Sequence, residues 1–237
     1  MIKNTTNKKL SQGQATIEYI IVFPVMIMLV FGILQFTLIY NAKTTLNYAV
    51  FEAARAGSLN NARRDAVAEA FASGMAALYT HKANVEAVEV ARVKVWDEIE
   101  AGDQVCIERV NPIDDDFSGY AIDHPDILGQ QAIPVDNLVY REPAITGGAH
   151  VSIHDATLLK IKVTYCYPLY VPFLNQLIPE WFTGNAEKGY VSNDPGFGSF
   201  KSTCIDNRQL PIVADAIMRM QSPVINDPSY STAAQCS

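Results

Sequence analysis

Ser11–Phe36 reads SQGQATIEYIIVFPVMIMLVFGILQF. Glu18 stands at the mouth of an apolar run, and the 24 residues from Tyr19 to Ala42 carry no charge. As one helix, 24 residues extend about 36 Å, more than the ~30 Å hydrocarbon core of a bilayer. Gln35 and Thr37 are the polar interruptions between the interfacial ends of the run. Pro24, in the first third, removes a backbone hydrogen bond and should bend the helix. A buried core helix is the alternative, but such helices rarely run this long without charge, so we read a membrane helix. Lys3, Lys8 and Lys9 precede the run and Lys43 alone follows it closely. That asymmetry predicts a cytoplasmic amino end and an extracytoplasmic remainder. A cleaved secretory signal competes with this reading, and Ala54-Arg55-Ala56 has the A-x-A form. That triplet lies more than ten residues past the run, however, and the run is long for a signal core.

The chain has 237 residues, enough for one large domain or two small ones, and a formal net charge of −7. An acidic chain without clustered Lys and Arg is a poor match to nucleic acid, because phosphate neutralisation requires such clusters. Arg63-Arg64 is an isolated pair on a helix face expected to be solvated.

Glu18 costs free energy wherever it enters hydrocarbon, and the simple reading is a carboxylate at headgroup level. Its context points further. Gly13 stands five residues earlier, and Tyr19 follows at once. A cut after Gly13 makes Gln14 the new amino terminus, with its ammonium one helical turn before Glu18. The counter-charge would act within the chain or between stacked neighbours.

Gly13-x-x-x-x-Glu18-Tyr19 before a hydrophobic helix resembles the prepilin-peptidase site of tight-adherence (Flp-type) pilins. The longer stretch Gly13–Gly57 resembles the TadE-like minor pilin or pseudopilin family. Glu18, Pro24, Gly32, Tyr40 and the run Glu52-Ala53-Ala54-Arg55-Ala56-Gly57 carry the resemblance. Weaker echoes occur at DATLLKIKVTYCYPLYVP and LPIVADAIMRMQSP. The resemblance implies cleavage between Gly13 and Gln14 by a prepilin peptidase at the cytoplasmic face of a bacterial inner membrane. Glu18 and Tyr19 would then serve processing and assembly. The implied partners are the lipid bilayer, that peptidase, other minor and major pilins, and the pilus assembly platform. A chain of 237 residues is far larger than a major Flp pilin, so it is not expected to be the bulk filament subunit.

The reading by segment is a leader over 1–13, a membrane helix over 14–42, a helical stalk over 43–102 and an α+β extracytoplasmic head over 103–237. The first helix keeps an apolar stripe through Leu46, Tyr48-Ala49-Val50 and Ala53-Ala54, with Gly57 as its expected stop. Asn60 or Asn61 is the expected cap of a second helix reaching Tyr79. ANVEAVEVARVKVWDEIEAG, residues 83–102, fits both periods; its length, Asn84 as cap and Gly102 as stop favour helix over strand. QVCIERV reads as a strand ending at Asn111-Pro112, and residues 113–152 read as a long irregular region. TLLKIKVTYCYPLYV is the clearest strand and LPIVADAIMRM the expected final one. FLNQLIPEWF reads as a short amphipathic helix and NDPGFGSFKS as loop. The fold class is therefore α+β, helices packed on a small antiparallel sheet with long loops.

Cys106, Cys166, Cys204 and Cys236 all fall in the extracytoplasmic part. Their even number and the absence of C-x-x-C spacing favour two disulfides over zinc or redox chemistry, with free buried thiols as the alternative. Of three possible pairings we prefer Cys106–Cys166 with Cys204–Cys236. Asp114-Asp115-Asp116, with Asp123 and Asp126 nearby, lacks the ligand spacing of a calcium loop and reads as a solvated acidic surface. His150, His154 and Asp155 have no evident third ligand. Asp227-Pro228-Ser229-Tyr230-Ser231 spells D-x-S-x-S, a metal-site pattern of von Willebrand A domains, but without the long α/β segment that must follow it. No hydrolase or nucleotide motif appears, so neither enzymatic activity nor a cofactor or metal is expected. The functional expectation is a minor pilin acting in pilus assembly, initiation or tip structure for adhesion. The alternative is an uncleaved inner-membrane scaffold or binding module of the secretion machinery.

Overall fold

The computed structural model describes residues 14–123, 130–171 and 199–230. Its organising element is α1, Gln14–Leu59, a helix of 46 residues, which at 1.5 Å per residue is ~69 Å long. The two halves of α1 face different surroundings. Residues 17–30 are exposed throughout. From Gln35 onward one stripe is buried, through Ala42, Leu46, Ala49, Val50, Ala53, Ala54 and Gly57. The three- and four-residue steps between most of these positions keep them on one helix face.

α2, Arg64–Tyr79, runs antiparallel to α1, because Gly57 meets Val67 and Gly74 meets Ala49. A Cβ on Gly74 would lie 2.7 Å from the Ala49 Cα, so the two helices cross in near backbone contact. Gly57 is not the helix stop expected from the sequence. It lies inside α1, where a Cβ would come within 2.7 Å of Val67 Cγ2 and 2.8 Å of Leu159 Cδ2. The reversal is instead made by Asn61 and Ala62, at φ 59° and 56°. Nor does Asn60 or Asn61 cap α2. Their side chains donate to the carbonyls of Ala56 and Pro223, each at 2.8 Å.

α3, Val85–Ala101, is helix as expected: Asn84 Oδ1 accepts from the Ala87 N–H and Gly102 closes the element at φ 70°. Ala91, Val95 and Ile99 form its buried face while Val88 and Val93 point outward. The apparent valine alternation is thus not a strand pattern. The cap, the stop and i,i+4 burial outweigh the weak β preference of valine.

The main sheet orders β1 (Val105–Asn111), β4 (Leu158–Pro168) and β5 (Gln209–Arg219) as β1-β4-β5, all antiparallel. Leu159, Ile161, Val163, Tyr165 and Tyr167 of the central strand are buried on the face that meets the helices. The other face carries Cys106, Thr164 and Cys166, covered by α6, Ser199–Asp206. This helix takes in the last residues of NDPGFGSFKS, a segment expected to be loop; the earlier part of that segment and FLNQLIPEWF lie outside the described residues.

Residues 113–152 are more regular than expected. They hold α4 (Asp114–Tyr120), β2 (Ile122–Asp123), β3 (Gln131–Ile133) and a 3-10 turn at Leu138–Tyr140, with α5 (Ile153–Ala156) just beyond. β2 and β3 join β6, Val224–Ile225, in a second antiparallel sheet. β5 is therefore not the last strand. Segments of two and three residues have no period to read, and β6 reaches them across some ninety residues of chain.

The membrane helix and its junction with the head

The candidate functional surface begins at the start of α1. Gln14 is its first residue; Gly13 lies outside the described residues. Glu18 and Tyr19 are exposed, and the Tyr19 ring stacks on Phe23 one turn later, centroids 5.3 Å apart. Pro24 lies within α1, and without an N–H it leaves the Ile20 carbonyl without its usual helical donor. Around it Ile20, Ile21, Val22, Phe23, Val25 and Met26 are each about half exposed or more. Such a surface is compatible with lipid and costly in water. The chain therefore has the form of a single-pass membrane anchor carrying a folded head.

Gln35 marks the junction. Its side chain is 1 % exposed, and Oε1 accepts a 3.0 Å hydrogen bond from the Val171 N–H, just past β4. A side-chain amide in an apolar helix needs such a partner. Two turns on, Lys43 Nζ donates to the Val213 carbonyl of β5. In the sequence Gln35 reads only as an interruption and Lys43 only as a topological charge. Their partners lie 136 and 170 residues away, where no local signal reaches.

At the far end of α1 the head is locked by two charged groups. Asp227 Oδ2 accepts from the Arg64 N–H at 2.8 Å, capping α2 from the other end of the chain. Its other oxygen accepts from the N–H and hydroxyl of Ser229. The D-x-S-x-S spelling is thus a turn that presents a helix cap. Burial raises the Asp227 pKa, but the Ser229 and Arg64 hydrogen bonds and the Arg109 charge outweigh it, holding the carboxyl below its usual value. Arg109 is itself sandwiched, 5.0 Å from the Phe117 ring centroid and 5.3 Å from that of Tyr230. It donates to Asp114 Oδ1 at 3.0 Å and Asn226 Oδ1 at 2.9 Å.

The acidic and histidine clusters resolve the same way. Asp116 is fully buried and accepts from the N–H groups of Ile113, His150 and Val151 at 3.0, 2.7 and 3.2 Å. The structure joins Asp116 to His150 through backbone, while His154 Nε2 meets the Arg141 carbonyl at 3.2 Å. Among the described residues no three or more His, Cys, Asp or Glu gather at metal-binding distance. Between helices and sheet, the Tyr79 hydroxyl donates to Glu98 Oε2 at 2.7 Å and meets the Tyr165 hydroxyl at 2.6 Å. Burial raises both phenols far above their usual range and also raises Glu98, against the pull of Tyr79 and Lys94.

The disulfide pairing corrects the one preferred from sequence. Cys166 bonds Cys204, with Cα atoms 5.3 Å apart, and Cys106 is disulfide-bonded as well. In the register Cys106 faces Thr164, and the Cys166 N–H bonds the Gln104 carbonyl, so Cys106 and Cys166 are diagonal neighbours. Diagonal positions lie about 7–8 Å apart, beyond the usual disulfide span. α6 places Cys204 over Cys166 instead. Cys236 lies outside the described residues.

No curated protein and no solved structure matches the chain. Residues 13–55 match the family model described as TadE-like protein, from Gly13 through the exposed half of α1 and most of its buried stripe, and this N-terminal segment is accordingly TadE-like.

Proposed function

We propose that the chain is a minor pilin, or pseudopilin, of a tight-adherence pilus, cut between Gly13 and Gln14 by a prepilin peptidase. The carrying observation is the TadE-like match, which opens at Gly13 and includes Glu18 and the whole exposed apolar segment. The amino end lies in the cytoplasm and the head in the periplasm, a reading supported by Lys3, Lys8 and Lys9 ahead of the helix. After cleavage the Gln14 ammonium pairs with Glu18, within the chain or in a neighbour, as α1 packs among other pilin helices on the assembly platform. The head then initiates or decorates the filament.

Intact mass of the membrane-extracted protein, from cells with and without the peptidase, tests this. The expected result is loss of the first 13 residues only when the peptidase is present. Gly13→Ala should block the cut, whereas Glu18→Gln should be cut but fail to co-purify with pili. An unshortened chain in both strains overturns the proposal and leaves an uncleaved membrane scaffold.

A further inference from the structure

Beside α1, at the level where the head first covers it, lies a groove of about 440 Å³. Ile39 and Lys43 of α1, Lys201 and Ile205 of α6, and the opening of β5 from Leu210 line it. Its walls are mainly apolar, with two ammonium groups. The helix sets its depth in the bilayer. With Glu18 at the headgroup level, the uncharged residues 19–38 span ~30 Å as a helix, which matches a ~30 Å hydrocarbon core. Ile39 and Lys43 then lie ~2 and ~8 Å beyond that span. That range takes in the headgroup layer, and a lysine stem lies along apolar surface while its ammonium reaches phosphate.

The surroundings agree with that depth. Tyr40 and Tyr170, 64% and 65% exposed, are placed as interfacial aromatics. With Gly74 on Ala49 in antiparallel helices, the turn after Tyr79 brings His81 and Lys82 to the level of Tyr40–Lys43. Asp206, which ends α6, is a neighbouring acid. Among the described residues, Lys43, Lys201, His81 and Lys82 thus stand at this level, with Glu86 beside His81 and Lys82, on a chain of net charge −7.

We propose that this groove binds an anionic phospholipid of the bilayer that α1 crosses, the acyl-glycerol part against Ile39, Ile205 and Leu210 and the phosphate at Lys43 and Lys201. The head is thereby seated on the membrane surface instead of tethered above it. The proposal rests on the membrane-spanning reading of α1.

The test is native mass spectrometry of the full-length protein in mild detergent, offered phosphatidylglycerol or phosphatidylcholine with matched acyl chains. Retention of the anionic lipid should exceed the zwitterionic by about fivefold per lysine engaged. Lys43→Gln with Lys201→Gln should abolish the preference. Lys201→Gln alone, which keeps the Lys43–Val213 bond, should lower it and guards against misfolding of the double variant. Equal retention of the two lipids, or a preference unmoved by the variants, overturns the groove. Alkaline carbonate extraction separates the two levels of failure. Release of the protein overturns membrane spanning and the groove together, whereas an integral protein without lipid preference overturns the groove alone.

Discussion

Asp227 shows how far a single side chain can act from its place in sequence. Its carboxylate satisfies the first amide of α2, 163 residues earlier, a donor that a helix cannot satisfy internally. Asp227→Ala should therefore destabilise the head by about 1 kcal/mol, the usual value of a lost cap, read by denaturant unfolding of the detergent-solubilised protein. The sign of the pH dependence follows from the lowered pKa. A carboxyl whose folded pKa lies below its unfolded one contributes fully above the unfolded value, near 3.9, and loses that contribution as pH falls through the folded one. The gap between wild type and Asp227→Ala should be constant near neutrality and close below about pH 4. A gap independent of pH would show that capping by the ionised carboxylate is not the cause. In sequence this residue is visible only as part of a misleading spelling, since a cap supplied by tertiary contact has no local signature.

At the level of elements, the α1–α2 pair depends on small residues. Gly74 meets backbone, so there is no flexible side chain to give way. Gly74→Val should overpack the crossing and cost about 1–3 kcal/mol or more, seen as a lowered melting temperature. Gly32, with nothing within 4 Å, is the matched control, and its substitution by Val should leave the head's melting temperature unchanged. The long elements are legible in the residues themselves: α1 by its uncharged run, α3 by Asn84 and Gly102, β4 by its alternation. The ends of α1 and α2 are not, because Gly57 can be a stop or a packing glycine and only its neighbours decide which. β2, β3 and β6 are illegible for want of length.

The head is fastened along α1 at two levels: at mid-helix through Gln35 and Lys43, and just past the helix end, where Asp227 holds the Arg64 N–H and Arg109 holds Asp114. At the mid-helix level, where α6 lies beside Ile39 and Lys43, the Cys166–Cys204 bond closes a loop with a sequence separation of 38 residues and holds α6 on the sheet. Its loss in Cys204→Ser should cost about 2–5 kcal/mol. Limited proteolysis under oxidising conditions reads this out: cleavage before β5 should be faster in the variant, and wild-type protection should vanish on reduction. Equal rates would mean that α6 is held by packing alone. Such a fastening makes α6 a fixed wall of the groove beside Lys43.

The long apolar anchor helix, the TadE-like segment from Gly13, the α+β class and the presence of disulfides are all legible in the chain read residue by residue. Each of these is written in runs of neighbouring residues, where charge, period and caps act over a turn or two. Where the exposed half of α1 gives way to the head, that Cys166 meets Cys204, and which groups Asp227, Gln35 and Lys43 bond emerge only once the chain is folded. Those answers depend on strand register, on a disulfide across 38 positions and on hydrogen bonds across more than a hundred, and no local pattern encodes them.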